Sequence, residues 1–214
     1  MSHSPFFDAA AATWDDDPDK LARSRAIADA IARAVPLRRV AAALEYGCGT
    51  GQVTWALADH LPPQARITLA DASTGMLDVV RSRLAGRPAG DRERFVVAPL
   101  DLTEASLDAA SLDLVYTSMA LHHVPDVPTV LRRFREGLRA DGWLAVADLD
   151  HDPEGAFHGA GFDGHHGFQR ERLAEQLLAA GFAEPAFETV TTLVKEHDGA
   201  LAEFPVFLAS CRTA

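Results

Sequence analysis

From residue 40 onwards, short apolar runs alternate with longer amphipathic stretches, the pattern of a fold that alternates strands and helices. Strands are predicted at 40–46, 66–71, 94–98, 112–117 and 142–148. Helices are predicted at 52–61, 74–85 and 127–139, with a shorter turn or helix near 104–109. Strands this apolar, joined by connections of helix length, favour a parallel sheet covered on both faces, which is an α/β fold.

The two ends of the chain depart from this alternation. Leu21, Ile27, Ile31 and Val35 fall roughly on one stripe that Pro36 ends, so we expect an amphipathic helix within an N-terminal helical cap at 1–38. At the other end, a helix at 168–180 precedes two apolar runs, 187–196 and 204–211. A short loop joins these runs, so they should pair as an antiparallel hairpin.

Composition fits one domain over 1–214, since 214 residues that are 48% hydrophobic can bury a core of their own. No apolar run reaches the roughly 18 residues of a membrane span, and the N-terminus lacks a basic start, so we expect a cytoplasmic protein. Cys48 and Cys211 are too few for a disulfide framework. A net charge of −11 disfavours nucleic acid and favours a small-molecule partner, whereas the oligomeric state stays open.

The segment 40–51, VAAALEYGCGTG, shows where the chemistry is expected. It reads as a strand that passes through Gly47, Gly49 and Gly51 into a helix, so backbone N–H groups face whatever lies over the strand. A dinucleotide fingerprint would need glycine where Gln52 stands, and a phosphate-binding loop would need a lysine that this turn does not contain.

This turn resembles motif I of the class I S-adenosylmethionine-dependent methyltransferases, [DE]-x-G-x-G-x-G, with Glu45, Gly47, Gly49 and Gly51 at the matching positions. The resemblance implies a Rossmann-like three-layer sandwich. Its sheet would have seven strands in the order 3-2-1-4-5-7-6, mostly parallel, with the last strand antiparallel. It also implies methyl transfer from S-adenosyl-L-methionine by in-line displacement, with S-adenosyl-L-homocysteine as product.

Polar residues follow the predicted strands at the sheet edge where ligands bind in open α/β folds. Asp71 ends the second strand, where a carboxylate can accept hydrogen bonds from ribose hydroxyls, and Asp101 with Leu102 follows the third, although a single carboxylate can equally cap a helix. The resemblance assigns the cofactor site to Glu45, Gly47, Gly49, Gly51, Asp71, Ala72, Met76, Asp101, Leu102, Thr117 and Ser118.

The fourth strand is followed by Thr117-Ser118-Met119-Ala120, which lacks the [DNS]-P-P-[FYW] pattern of amino methyltransferases acting on bases. The next residues, ALHHV, are similar to many small-molecule C-, O- and N-methyltransferases. His122 and His123 are candidate general bases, although each could also be a packed or backbone-bonded histidine. If a general base is used, we predict that it is His123 or Asp148. Substrate contacts are predicted at Trp14, His122, His151 and His158.

A glycine- and histidine-rich segment at 150–167 is predicted to be a lid over the substrate. Together with Asp148 it carries Asp150, His151, Asp152, His158, His165 and His166. Such residues can bind a divalent metal, but their spacing matches no standard site, so solvated loop residues and no metal are expected.

Two other functions remain open at the level of sequence. The chain could bind S-adenosylmethionine or S-adenosylhomocysteine without catalysis, as a sensor or a partner subunit. An NAD-dependent oxidoreductase is disfavoured by Gln52. The acceptor, and whether oxygen, nitrogen or carbon is methylated, is not encoded in any motif.

Overall fold

The computed structural model describes residues 4–159, 161–197 and 199–214. Parts of the predicted cap (1–3), of the predicted lid (160) and of the hairpin loop (198) lie outside these ranges. The strands are Ala42–Tyr46 (β1), Arg66–Asp71 (β2), Phe95–Pro99 (β3), Leu112–Ser118 (β4), Leu138–Leu149 (β5), Ala186–His197 (β6) and Ala200–Arg212 (β7). The helices are Ser4–Ala10 (α1), Pro18–Ala34 (α2), Gln52–Leu57 (α3), Thr74–Ala85 (α4), Ala89–Arg92 (α5), Val127–Gly137 (α6) and Arg170–Ala179 (α7).

The seven strands form one sheet in the order β3-β2-β1-β4-β5-β7-β6, as the resemblance implies. The strands from β1 to β5 run parallel, and β7 runs antiparallel to both β5 and β6. At the centre, Ala43 of β1 lies opposite Ile67 of β2 and Leu114 of β4. The strand order reverses between β1 and β4, so the carboxyl end of β1 is the switch point where ligands bind in open α/β sheets.

Apolar side chains cover both faces of the sheet, which makes the three layers of the predicted sandwich. One face packs against α2, α3 and α4, where Ile27, Leu57 and Val80 are fully buried. The other face packs against α6 and α7, where Phe134 and Leu177 are fully buried. Burial on both faces accounts for the continuous apolar character of the central strands.

Local sequence explains where two of these helices begin. Asp17 accepts a hydrogen bond from the backbone N–H of Asp19 (2.9 Å), and Pro18 opens α2. Ser73 likewise accepts from the N–H of Met76 (3.2 Å) at the start of α4. None of the helices in the described ranges combines the length and the apolarity that a membrane crossing needs.

The structure corrects several predicted boundaries. The α6 helix ends at Gly137 instead of 139, because Leu138 is already extended and pairs with Leu112 as the first residue of β5. Near 104–109, where a turn or short helix is predicted, the chain forms turns at 102–104 and 109–110 and no helix. The cap contains a further helix, α1, and a 3₁₀ helix at Ala11–Asp16, which the apolar pattern did not reveal because both are too short for a periodic stripe.

Candidate active site

The glycine turn after β1 forms the floor of a cleft at the switch point. Gly47 and Gly49 have φ angles of 68° and 53°, in the left-handed region that favours glycine. A Cβ atom at Gly47 would clash with the Cβ of Ala120, whereas one at Gly49 would meet no atom within 4 Å. Gly47 therefore allows close packing with the chain after β4, and Gly49 borders open space where a ligand can approach the backbone.

Asp71, at the end of β2, is held against this turn. Its carboxylate accepts hydrogen bonds from the backbone N–H of Gly49 (2.8 Å) and from that of Ser73 (2.8 Å). Burial raises the pKa of Asp71, and these backbone hydrogen bonds oppose the rise. Ser73 caps α4, and Asp71 orders the turn while keeping lone pairs that a ribose hydroxyl can use.

Glu45 lies beneath the turn and is almost completely buried. Its Oε2 accepts hydrogen bonds from the backbone N–H of Thr54 (3.2 Å) and from the Thr54 hydroxyl. The Thr54 hydroxyl is also 2.6 Å from the Tyr116 hydroxyl. Burial raises the pKa of Glu45 to about 8, despite the hydrogen bonds from Thr54. The carboxyl group is therefore mostly protonated at neutral pH when no cation lies nearby.

The N-terminal segment 4–16 is fastened to the same edge of the sheet. Asp8 accepts hydrogen bonds from the Ser73 hydroxyl (2.6 Å) and from the N–H of Gly75 (2.8 Å), at the start of α4. Asp15 accepts from the Thr50 hydroxyl (2.7 Å) and pairs with Arg83. No sequence motif marks these two aspartates, because their partners are distant in the chain.

The cleft encloses about 810 Å³ of empty space, including solvent at its mouth. Its walls come from the N-terminal segment, from α2, from the glycine turn and from the chain after β4. The apolar and aromatic lining side chains include Phe7, Trp14, Val53, Met76 and Met119. Met119 has a φ of 53°, an unusual conformation for a residue other than glycine and one that is often found at functional sites.

The predicted cofactor residues divide into two groups. Those that line the cleft are Glu45, Gly47, Gly49, Asp71, Met76 and Ser118. The others, Gly51, Ala72, Asp101, Leu102 and Thr117, are not among its lining residues. Leu102 is buried in the core on the α6 side of the sheet, and Asp101 accepts hydrogen bonds from the N–H and hydroxyl of Thr103 (2.9 and 2.7 Å).

A group of cations that sequence reasoning missed lies on the other side of the cleft. Lys20 and Arg23, three residues apart on α2 and hence on one face, both line it. Lys195 of β6 is close to them: burial lowers the pKa of Lys195, and the charges of Arg23 and Lys20 lower it further. The i, i+3 spacing predicts that Lys20 and Arg23 share one face of a helix, but the sequence does not show that this face borders the cleft.

Three histidines cluster beside this cationic side. The ring centroids are 4.1 Å apart for His122 and His123, 4.9 Å for His122 and His158, and 5.8 Å for His123 and His158. His123 lines the cleft, whereas His122 is buried behind it. Burial lowers the pKa of His158 to about 4. The predicted substrate residue His151 is exposed and outside the cluster.

Asp148 is located behind the cleft. The carboxylate is fully buried, and its Oδ1 is 2.6 Å from Nδ1 of His122. It also accepts hydrogen bonds from the backbone N–H groups of Leu149 (2.8 Å) and His122 (3.3 Å). Asp148 does not line the cleft, so its predicted role as a base stays a prediction. Its contacts suit the orientation of the His122 ring.

Comparisons with known proteins agree with this geometry. Residues 44–144 match the sequence family described as "Methyltransferase domain". Malonyl-[acyl-carrier protein] O-methyltransferase of Laribacter hongkongensis is 33% identical over 207 residues, which cover 90% of this chain and 67% of that relative. Trans-aconitate 2-methyltransferase of Deinococcus radiodurans is 38% identical over 145 residues, covering 65% of this chain and 52% of that relative. The chain thus spans about half to two thirds of these relatives.

Solved structures share the fold at low sequence identity. One is a chain of the complex between the Haloferax volcanii Trm112 methyltransferase activator and a methyltransferase, with a TM-score of 0.75, 17% identity and 97% coverage of both chains. Another is phosphoethanolamine N-methyltransferase 2 of Haemonchus contortus in complex with S-adenosyl-L-methionine, with a TM-score of 0.68 and 16% identity. That likeness covers 87% of this chain and 52% of the other.

Proposed function

Because this chain belongs to the class I S-adenosylmethionine-dependent methyltransferases, we propose that it methylates a carboxylate oxygen of a small anionic acceptor. The observation that carries the proposal is the placement of Lys20 and Arg23 on the cleft, with Lys195 nearby. The chain as a whole has 31 acidic and 20 basic residues, so a group of cations at its cleft is not explained by composition.

Carboxyl groups and cations lie on different sides of the cleft. Asp15, Glu45 and Asp71 lie at the glycine turn, and Lys20 and Arg23 lie on α2. The carboxylate side suits S-adenosylmethionine, whose sulfonium and ammonium groups are cationic, and the open space at Gly49 leaves room for it. The cationic side then suits an acceptor of opposite charge.

Methylation of a carboxylate places modest chemical demands on the protein. When bound, the cofactor would supply a methyl group on a positively charged sulfur. The sulfur would leave as a neutral thioether when a nucleophilic oxygen takes the methyl group. A carboxylate is already ionised at neutral pH, so no general base is needed. Lys20 and Arg23 would orient the acceptor, and Phe7, Trp14 and Met119 would exclude water. His123 then serves as a contact rather than as a base.

The names of two relatives are consistent with an acidic acceptor. The Laribacter hongkongensis protein is a malonyl-[acyl-carrier protein] O-methyltransferase, and the Deinococcus radiodurans protein is a trans-aconitate 2-methyltransferase. Malonyl and aconitate groups both carry carboxylates. Because the chain spans only part of these relatives, their names suggest an acceptor class and no particular acceptor.

The test is a methyl-transfer assay with paired acceptors. Production of S-adenosylhomocysteine is measured with small mono-, di- and tricarboxylic acids and with the amides of the same skeletons. We expect turnover with acids and none with the matched amides. Equal turnover with amides would contradict the carboxylate assignment, and cofactor binding without turnover on any acceptor would favour the non-catalytic alternative.

Variants on α2 test the role of the cations. Arg23→Gln should raise the KM for the best acid by roughly ten- to a hundredfold, the range expected for loss of a charged hydrogen bond, with cofactor affinity unchanged. Arg25→Gln is the matched control, because Arg25 is exposed on the same helix and does not line the cleft. Equal KM values for the two variants would contradict a direct role for Arg23.

A further inference from the structure

We propose that His122, His123 and His158 bind a divalent transition-metal ion, for which zinc is the best fit. Each of the three side chains offers a ring nitrogen, and these nitrogens lie within 4.8 Å of one another. The sequence predicted no metal because the spacing matches no standard motif. The structure brings His158 of the 150–167 segment against the His122-His123 pair after β4, which no local pattern reveals.

The donor set agrees with zinc chemistry. Neutral imidazoles are common zinc ligands, and a site of three histidines with a fourth open position is the arrangement of several catalytic zinc sites. Tetrahedral zinc with nitrogens at about 2.0–2.1 Å needs nitrogens roughly 3.4 Å apart. The cluster must therefore contract slightly around the ion. His158 is only partly buried and lies between Gly155 and Gly159, whose φ angles of 68° and 78° lie in the left-handed region that favours glycine.

The surroundings of the cluster support ligation at two of the three positions. Asp148 is 2.6 Å from Nδ1 of His122, so that nitrogen carries the hydrogen and Nε2 keeps its lone pair for a metal. A carboxylate behind a histidine in this way is the usual outer partner of a zinc ligand. Nδ1 of His158 is buried without a hydrogen-bond partner among the described residues, which is costly unless something binds it.

The position of the site also suggests what its open coordination position faces. His123 lines the cleft, so an ion held by this residue would border the acceptor side. A carboxylate oxygen is a suitable fourth ligand for zinc. This last step rests on the proposed carboxylate acceptor, whereas metal binding itself does not, and the experiment below contains no acceptor.

Metal binding is measured directly on the whole chain. Protein stripped with a chelator is dialysed against zinc and analysed for zinc per chain, and cobalt is titrated while the visible absorption of tetrahedral cobalt is followed. We expect one ion per chain for the wild type. No bound ion, or cobalt binding without the tetrahedral spectrum, would overturn the proposal.

Two variants locate the ion. His158 lies in a loop, and His158→Ala should lower the affinity for zinc at least a hundredfold. His60 is exposed and far from the cluster in sequence, so His60→Ala should bind zinc as the wild type does. Asp148→Asn tests the residue that positions His122. Its loss should lower the affinity for zinc by about 10- to 100-fold. Circular dichroism and cofactor affinity check that each variant is folded. Zinc affinity unchanged in a folded His158→Ala would overturn the proposal.

Discussion

Replacement of Glu45 by glutamine should remove a specific pH dependence from the stability of the protein. Glu45 is buried, and its pKa is raised from 4.5 to about 8 in the folded chain. A carboxyl group with a raised pKa favours the folded state below pH 4.5, and this stability is lost as the pH rises through 8. Glutamine has nearly the same shape and does not ionise. Glu45→Gln should therefore lose none of this stability as the pH rises.

The magnitude follows from the two pKa values. Between pH 6 and pH 8, the unfolded chain holds Glu45 ionised while the folded chain keeps it mostly protonated. The free energy of unfolding of the wild type should therefore fall by about 2 kcal/mol more than that of Glu45→Gln over this interval. At pH 8 the group is about half ionised in the folded chain, and well above pH 8 it is ionised in both states, so the difference stops growing there.

The assay is urea denaturation followed by circular dichroism at pH 6, 7 and 8, at constant ionic strength and without cofactor. The slope of the free energy with urea should be the same for both proteins, so that the midpoints report stability alone. Glu93→Gln, an exposed glutamate, is the control and should follow the wild type. Parallel pH profiles for the wild type and Glu45→Gln would refute the assignment of a buried, protonated Glu45.

Three further changes test other parts of the structure. Gly47→Ala should cost about 1–3 kcal/mol of stability and weaken cofactor binding, because the new Cβ clashes with Ala120. Thermal unfolding measures the stability and calorimetry the cofactor affinity. Gly90→Ala is the control, because a Cβ at Gly90 meets no atom within 4 Å. Asp8→Asn should weaken the contact of α1 with α4, so that chymotrypsin removes the N-terminal segment faster than in the wild type. Phe134→Ala should cost about 3–5 kcal/mol in urea denaturation, because the ring is fully buried.

Most of the fold could be predicted from the sequence, for a physical reason. Strands buried on both faces are short continuous apolar runs, and β2 and α4 were predicted with the bounds that the structure has. The strand order came from the resemblance carried by Glu45 and the glycine turn, since apolar pattern alone does not specify which strands are neighbours.

The candidate site was predictable only where it depends on local sequence. Gly49 and Asp71 are adjacent because Gly49 lies in the turn after β1, Asp71 ends β2, and parallel strands end at one edge. The contact of His158 with His122 depends on the path of an irregular loop, and the placement of Lys20 depends on how α2 packs. Neither depends on a periodic pattern, so neither could be read from spacing.

The position of β7 has a consequence for synthesis of the protein. This strand is the last of the sheet in chain order, yet it lies inside the sheet, between β5 and β6. Until β7 has left the ribosome, β5 is an unpaired edge on which Leu144 and Val146 await their partners Cys211 and Ala209. Unpaired apolar edges promote association between chains. The nascent chain is therefore prone to aggregation while β7 is still inside the ribosome, even though the finished sheet conceals that edge.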